Sequence, residues 1–235
     1  KTLKMDDKIS FHKIMSNSKY TPESYLNVKE VTDKDALYFV KKTGSTASRG
    51  VNIYDYDSLQ SVNVNDCVIQ KNINNPHLHN DKRYKIRQLV LLYDKNVYLH
   101  KDSWFSMSDI DYENQESNMR EKHVIYQKHN TIFELSQKLE GFDLIFKNIV
   151  AAVHDFKKYY AKDIDTITNN EYSILGFDFI VDSDKNVQII EINHRSNYAH
   201  PKNVIDVCDI DFVKDMILFM INKSFENTRL IDIES

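Results

Sequence analysis

The stretches LGFDFIV at residues 175–181, DSDKN at 182–186 and VQIIEIN at 187–193 are the most informative part of the chain. Strand-forming residues flank a polar run that is typical of turns, and this pattern predicts an antiparallel hairpin. Acidic and amide side chains alternate with apolar ones, as in a strand with one polar and one buried face. The hairpin is therefore expected to belong to a sheet that packs on a core.

Two carboxylates are predicted to meet on the polar face of this hairpin. A turn centred between Asp184 and Lys185 fixes the register of the two strands. In that register Asp178 lies opposite Glu191, with Cβ atoms roughly 4.5–5.5 Å apart, and Asn193 follows on the same face. Facing carboxylates repel each other unless a positive group neutralises them, and Mg2+ prefers oxygen ligands of this kind. Asp178, Glu191 and Asn193 are therefore the predicted metal ligands.

The opposite face of the hairpin is predicted to be apolar and to point into a core. It carries Phe177, Phe179, Ile190 and Ile192. The alternative is a solvated hairpin on which the acidic residues occur by chance.

A lysine closes an apolar strand and opens a loop that contains glycine. Residues 36–40 are ALYFV, and Lys41 begins the run KKTGSTASRG at 41–50, which holds two of the four glycines. A phosphate group needs positive charge and backbone N–H groups around it, and a loop of this kind could close over phosphates as a lid. The run is not a Walker A sequence, and an ordinary hairpin loop is the alternative.

A second basic cluster consists of Arg83, Lys85 and Arg87, which share one face of a predicted strand because side chains alternate along it. Arg87 leads into the apolar run QLVLL at 88–92, and an arginine that enters a core needs an anionic partner. Its planar guanidinium makes paired hydrogen bonds to phosphate or carboxylate oxygens. The alternative is an exposed basic edge strand that discourages strand pairing.

The rest of the chain mixes strands and helices without a regular βαβ alternation, which predicts an α+β fold. Amphipathic helices are expected at 6–16 and 211–223, and two helices over 130–161 with Gly141 as the break between them. A loop near 72–81 is expected to divide a small N-terminal lobe from a larger C-terminal one. Besides the hairpin, strands are predicted at 36–40, 51–54, 67–70, 84–93 and 96–100.

Bulk composition is that of a soluble globular protein, with 41% hydrophobic and 28% charged residues in a chain of 235. A net charge of −4 argues against a general basic field for nucleic acid. No apolar run approaches the roughly 18–20 residues of a membrane span. Cys67 and Cys208 do not form a CxxC pair, so zinc and a disulfide framework are not expected. We therefore expect a cytoplasmic protein that binds neither nucleic acid nor membrane.

Together these segments resemble the tubulin–tyrosine ligase-like branch of the ATP-grasp superfamily. Asp7-Lys8 looks like the pair that opens the family's central lobe, and VIQKNINNP at 68–76 is similar to its VIQKYIxNP. The run RYKIR at 83–87 lies where the family has KFDxR. LGFD at 175–178 and IEIN at 190–193 look like its GxD and ExN magnesium ligands. The resemblance extends over most of the chain.

The resemblance implies an ATP-grasp fold, with residues 1–73 as the central lobe and residues 74–235 as the C-terminal lobe with the metal site. The family's N-terminal lobe is then absent or truncated. ATP and Mg2+ are the implied cofactors, Arg87 and Glu191 the implied catalytic residues, and residues 70–71 border the adenine. The positions implied to contact ATP are Lys8, Lys41, Gln70, Lys71, Arg83, Arg87, Asp178 and Ile190.

The implied reaction joins an amino acid to a protein or peptide acceptor. A carboxylate attacks the γ-phosphate of ATP, an acylphosphate forms, and an amine displaces phosphate to give an amide, ADP and phosphate. The sequence departs from the family pattern at several positions. Lys85 replaces an Asp, Ser106 replaces an Arg, and HVIY at 123–126 keeps only the His of the family's HLTN. Substrate recognition is therefore expected to differ from that of the family.

Two other functions stay open from the sequence. The altered acceptor motifs and the missing lobe would also suit a nucleotide-binding pseudoenzyme that acts as an interaction module. The same site would equally serve an ATP-grasp ligase of a non-tubulin peptide or a small molecule. Release of ADP with a panel of acceptors separates the ligases from the pseudoenzyme.

Overall fold

The computed structural model describes residues 4–45, 50–108, 110–113, 123, 131–168, 171–194 and 202–234. It contains two antiparallel sheets with helices packed on them, which confirms the predicted α+β class. Part of the predicted lid, residues 46–49, lies outside the described ranges. No helix within those ranges combines the length and apolar character needed to cross a membrane.

The smaller sheet has four strands in the order β1–β4–β2–β3. Helix α2 (Tyr56–Leu59) buries Leu59 against Tyr38 and Ile69 of this sheet. The three strands predicted for this part of the chain are confirmed. Their bounds, with the short first strand, are β1 (Ser24–Tyr25), β2 (Tyr38–Lys42), β3 (Val51–Tyr54) and β4 (Cys67–Lys71).

The larger sheet has seven strands, with β5 and β8 added to the order β10–β9–β6–β7–β11. Because β6 is paired on both sides, the basic residues at 83–87 do not form an exposed edge, and that alternative is wrong. The link at residues 72–77 joins the two sheets, and a lobe boundary at 73/74 stays a prediction. The strands are β5 (Leu78–His79), β6 (Lys82–Tyr93), β7 (Asn96–Met107), β8 (Ile132–Leu135), β9 (Tyr172–Val181), β10 (Val187–His194) and β11 (Leu230–Asp232).

Helices cover both faces of the larger sheet. On one face α3 (Phe142–Tyr159) packs its apolar stripe beside α1 (Lys8–Met15) to form the main core. On the other face α6 (Ile210–Asn222) packs on residues 89–93 of β6, which leaves the basic half of that strand uncovered. Short helical segments are α4 (Ala161–Ile164), α5 (Lys202–Val204), the 3-10 turns Lys4–Asp6, Val28–Glu30 and Ser136–Lys138, and the π-helical turn Ile205–Asp209.

The hairpin of β9 and β10 forms where it was predicted, with one irregularity. Next to the turn the pairing is centred on Asp184 itself, and the register shifts between residues 189 and 191. Ile190 is therefore an extra residue in β10, which is a β-bulge. Beyond the bulge Glu191 lies opposite Asp178, as predicted.

The bulge also changes which isoleucine enters the core. Phe177, Phe179 and Ile192 are buried as predicted, but the inward position next to them is taken by Ile189. The prediction that Ile190 points into the core is wrong, because a bulge places two consecutive residues opposite one partner. Ile190 is half-buried and lines a cleft on the other side of the sheet.

The two helices predicted over 130–161 are wrong in their first half. Residues Ile132–Leu135 form β8, which pairs with the end of β7. Gly141 is the residue before α3 and has a φ of 70°, so it begins one helix instead of dividing two. Residues 132–135 have the apolar spacing of a helix, but they pair with the edge of β7 instead. Strand formation depends strongly on such tertiary contacts.

Candidate functional site

A cleft lies between the smaller sheet and the uncovered half of the larger sheet. It contains about 730 Å3 of space, part of it open to solvent. The strands β2, β4, β6 and β10 and helix α1 all contribute side chains. The cationic lining residues are Lys8, Lys41, Lys71, Arg83 and Lys85, and the apolar ones are Phe39, Val51, Ile73, Ile180 and Ile190.

Lys41 reaches across the cleft from the smaller sheet. Its Nζ donates to Oε1 of Gln70 on β4 at 2.5 Å and to the carbonyl oxygen of Ile190 on β10 at 3.3 Å. Burial lowers the pKa of Lys41 to about 8; the charge of Glu191 opposes this shift, and Lys8 and Lys85 add to it. Both acceptors are neutral, so an anionic ligand in the cleft would favour the charged form of this lysine.

Arg83 is a second buried cation in the cleft wall. Its Nη1 donates to Oδ1 of Asn72 at 2.9 Å and to Nδ1 of His123 at 2.6 Å, and the guanidinium lies 5.7 Å from the ring centroid of Phe39. Its Nε has no hydrogen-bond partner among the described residues. Burial lowers the pKa of Arg83 to about 10. A buried donor of this kind is costly unless a ligand or water accepts from it.

The carboxylate of Asp178 forms ion pairs with two cations of the neighbouring strand, Lys85 and Arg87. Arg87 donates through Nε to Oδ1 at 2.5 Å and through Nη2 to Oδ2 at 3.1 Å, and Nζ of Lys85 lies 3.0 Å from Oδ2. Arg87 and Asp178 are partners in the pairing of β6 with β9, which brings them together. Burial by itself would raise the pKa of Asp178, but the charges of Arg87 and Lys85 outweigh it and lower that pKa to about 2.

Lys8 enters the cleft from the first turn of α1. The preceding residue, Asp7, caps this helix by accepting a hydrogen bond from the backbone N–H of Ser10 at 2.8 Å. Nζ of Lys8 then lies 3.2 Å from Oε1 of Glu191 and donates to the carbonyl oxygen of Ser45 at 3.2 Å. The capped helix thus places a lysine between the loop after β2 and the hairpin.

The segment predicted to border adenine also lies at the cleft. Gln70 is buried and holds Lys41, whereas Lys71 forms ion pairs with Asp33 at 2.7 Å and with Glu23 at 3.4 Å. The charge of Lys71 is therefore largely balanced outside the cleft.

The three predicted metal ligands are close in the hairpin but do not fit a magnesium site. Asp178 already accepts three hydrogen bonds from its two cationic partners, and Glu191 is paired with Lys8. The amide nitrogen of Asn193 donates to the carbonyl oxygen of Gly176 at 3.5 Å, and this contact does not involve the amide oxygen that would bind a metal ion. Within the part of the chain that the structure describes, no group of three or more His, Cys, Asp or Glu side chains could hold a metal ion; the predicted set has two such residues, with Asn193 as its third ligand. The magnesium ligands therefore stay a prediction that this arrangement does not support.

Most of the other predicted site residues do come together. Lys8, Lys41, Gln70, Lys71, Arg83, Ile190 and Glu191 all line the cleft. Arg87 and Asp178 lie behind Lys85 and do not line it. The sequence reasoning missed Phe39, although period-2 alternation puts it on the same strand face as Lys41.

Two positions at which the sequence departs from the family pattern have different surroundings. Ser106 is buried beside Lys85 on β7, its hydroxyl has no hydrogen-bond partner among the described residues, and it does not line the cleft. His123 is buried against Arg83 and lines the cleft. Residues 124–126, the rest of that motif, lie outside the described ranges.

The cleft has apolar walls and a surplus of cations, and these features suit an anionic ligand that also has an apolar part. Comparison with known proteins gives the family. The sequence model of the tubulin-tyrosine ligase family matches residues 1–138 and 112–225. The chain belongs to this family. This confirms the resemblance to the family that the sequence motifs indicate.

A similar curated protein is tubulin glycylase 3C of Tetrahymena thermophila. It is 27% identical over 231 residues, and the match covers 83% of this chain and 22% of that protein. The chain therefore spans about a fifth of the length of the relative it matches.

Proposed function

We propose that this chain binds ATP in the cleft and forms the nucleotide-binding part of a ligase that attaches an amino acid to a protein or peptide. The observation that carries the proposal is the pair of buried cations Lys41 and Arg83. Their hydrogen bonds within the described ranges go to amide, carbonyl and imidazole groups. Buried charges without an anionic partner are costly, and a polyphosphate would supply that partner. Membership in the family supports the class of reaction.

The lining residues suggest how ATP would lie. The ammonium groups of Lys8, Lys41 and Lys85 converge from α1, β2 and β6 and would surround the phosphates. Phe39 and Ile73 would pack against the base, next to the segment at residues 70–71. In this proposal the two sheets are the lobes of an ATP-grasp fold, divided at residues 73/74.

The proposed reaction forms an amide in two steps. A carboxylate oxygen of one substrate attacks the γ-phosphorus, the bond from that phosphorus to the ADP oxygen breaks, and an acylphosphate results. The amine of the second substrate attacks the acyl carbon, loses a proton and displaces phosphate. Lys8, Lys41 and Lys85 would stabilise the negative charge of the transferring phosphoryl group. Arg87 and Glu191, predicted as catalytic, would position Asp178 and Lys8 through the ion pairs described above.

Magnesium is the second cofactor expected from the sequence. When bound to ATP it would neutralise phosphate charge. The carboxylates that would hold it are paired with Lys8, Lys85 and Arg87, so the steps above are assigned to protein groups alone.

The acceptor is proposed only as a protein or peptide. The relative is named as a tubulin glycylase, and this chain spans about a fifth of that protein. Ser106, in place of an arginine, is uncharged and cannot make a bidentate contact to a carboxylate. We therefore expect poor tyrosination of tubulin. A second candidate function is a nucleotide-binding interaction module without turnover, which the changes at Lys85 and Ser106 favour.

The test is to incubate the chain with Mg-ATP, mixed amino acids and a panel of acceptors that includes detyrosinated tubulin and acidic peptides. ADP release is measured together with the mass of each acceptor. An acceptor that gains the mass of an amino acid, in step with ADP release, supports the ligase. Nucleotide binding without ADP release on any acceptor would support the interaction module. Absence of nucleotide binding would contradict both.

A further inference from the structure

Lys85 connects a buried carboxylate to the open cleft. Its side chain is 15% exposed and lines the cleft, while its Nζ lies 3.0 Å from Oδ2 of Asp178, which is 1% exposed. An ammonium group has three N–H donors. Within the described ranges Lys85 makes one side-chain hydrogen bond, to Asp178. The other two donors are available to a ligand in the cleft.

The charges around this lysine are unbalanced. Among the residues that the structure describes, five cationic side chains and one carboxylate, that of Glu191, line the cleft. Lys71 is balanced by Asp33 and Glu23 outside it. Of these described lining residues, the only negative charge to set against the four other cations is that of Glu191. The wall formed by Lys8, Lys41, Arg83 and Lys85 therefore has a net positive charge. A wall of this kind attracts a polyphosphate without the help of a metal ion.

A divalent ion at Asp178 would meet like charges. Arg87 and Lys85 both lie within hydrogen-bond distance of the carboxylate oxygens. A further cation bound to the same oxygens would lie close to both of them and be repelled. The lysine thus takes the position next to Asp178 in which a metal ion would otherwise neutralise charge.

We propose that Lys85 is a built-in cation of the phosphate site, so that nucleotide binding in this cleft does not require a divalent metal ion. The inference rests on the proposed function, because it assumes that the anionic ligand is a nucleoside triphosphate. Lys85 contacts the phosphates directly and at the same time neutralises Asp178, the role that a metal ion has in sites built from carboxylates alone.

The test is calorimetric titration of the full chain with ATP, once with magnesium chloride and once with excess EDTA. The dissociation constant is measured for the wild type and for Lys85→Ala, Lys85→Asp and Lys85→Arg. The control is Lys42→Ala, since Lys42 is an exposed neighbour of Lys41 that does not line the cleft. Circular dichroism and thermal unfolding show whether each variant is folded.

The wild type and Lys42→Ala are expected to bind ATP with similar affinity in both media. Lys85→Ala should lose about ten- to a hundredfold in EDTA, the range for one charged hydrogen bond, and should recover part of this with magnesium. Lys85→Asp should depend on magnesium most strongly, because its second carboxylate needs a metal ion. Lys85→Arg keeps the charge and should keep binding in EDTA.

Two results would overturn the inference alone. One is a wild type that binds ATP with magnesium but not in EDTA. The other is a folded Lys85→Ala whose ratio of the two dissociation constants equals that of the wild type. A wild type that binds no ATP in either medium would overturn the proposed function and this inference with it.

Discussion

The ammonium group of Lys41 donates to the carbonyl oxygen of Ile190 across 3.3 Å, although the two residues are 149 positions apart and belong to different sheets. The carbonyl is presented to the cleft where β10 carries its bulge. This contact joins the smaller sheet to the larger one directly beside the proposed phosphate site. Ligand binding and the packing of the two sheets are therefore expected to depend on each other.

The first prediction concerns stabilisation by nucleotide. ATP should raise the melting temperature of the chain, because a ligand that binds only the folded state adds RT ln(1 + [L]/Kd), about 2.7 kcal/mol at a hundred times Kd. Differential scanning fluorimetry over a range of ATP concentrations measures this, with Lys41→Met as the matched variant. Folded protein whose melting temperature is unchanged at millimolar ATP would contradict the nucleotide site.

The second prediction concerns pH. Burial lowers the pKa of Lys41 from its ordinary value of 10.5 to about 8. ATP binding needs the charged lysine, so affinity should fall as the pH rises through about 8. The linkage to folding has the opposite sign: between pH 8 and 10.5 the unfolded chain binds more protons, so the contribution of Lys41 to stability rises with pH. Lys41→Arg should bind ATP equally at pH 7 and pH 9. Equal affinity of the wild type at both pH values would contradict this assignment.

The third prediction concerns the buried ion pairs of Asp178. Asp178→Asn should lower the free energy of unfolding by about 3–5 kcal/mol, because it removes the buried negative charge that is paired with Arg87 and Lys85. Urea unfolding measures the loss, and Asp184→Asn in the exposed turn is the control that should be nearly neutral. The pKa of Asp178 is lowered to about 2, so its stabilisation is present above pH 3.8 and is lost as the pH falls towards 2. A variant as stable as the wild type would show that the pairs do not stabilise the fold.

The fourth prediction concerns Glu191, which faces Lys8. Glu191→Gln should keep the fold but reduce turnover at least about tenfold, the scale of one charged hydrogen bond. Steady-state ADP release separates kcat from KM. A fall in kcat with little change in the melting temperature is expected, because Glu191 lies at the cleft and not in the core. Wild-type turnover in this variant would show that Glu191 has no role in catalysis.

Much of the site follows from strand alternation in the sequence. Arg83, Lys85 and Arg87 share one face of β6, and this face could be read from their spacing alone. Asp178 meets Arg87 because both belong to long, regular strands. The family pattern added Lys8 and Gln70, which no local period indicates.

The remaining features depend on contacts between distant parts of the chain. Residues 189 and 190 are both isoleucine, so the sequence pattern does not show which of them is the extra residue in the strand. Residues 132–135 form a strand only because the end of β7 offers them backbone partners. The pairing of Glu191 with Lys8 needs the capped helix α1 to lie against the hairpin, and no short-range signal reveals this.

The bulge at Ile190 has a consequence for insertions and deletions in this strand. Loss of Ile190 would remove the extra residue, continue the pairing that starts at the turn and still carry Glu191 into place opposite Asp178. The carbonyl that accepts from Lys41 would disappear with it. Deletion of this one codon would therefore keep the alignment of the two carboxylates but remove the hydrogen bond between the sheets. Side-chain substitutions cannot separate these two features.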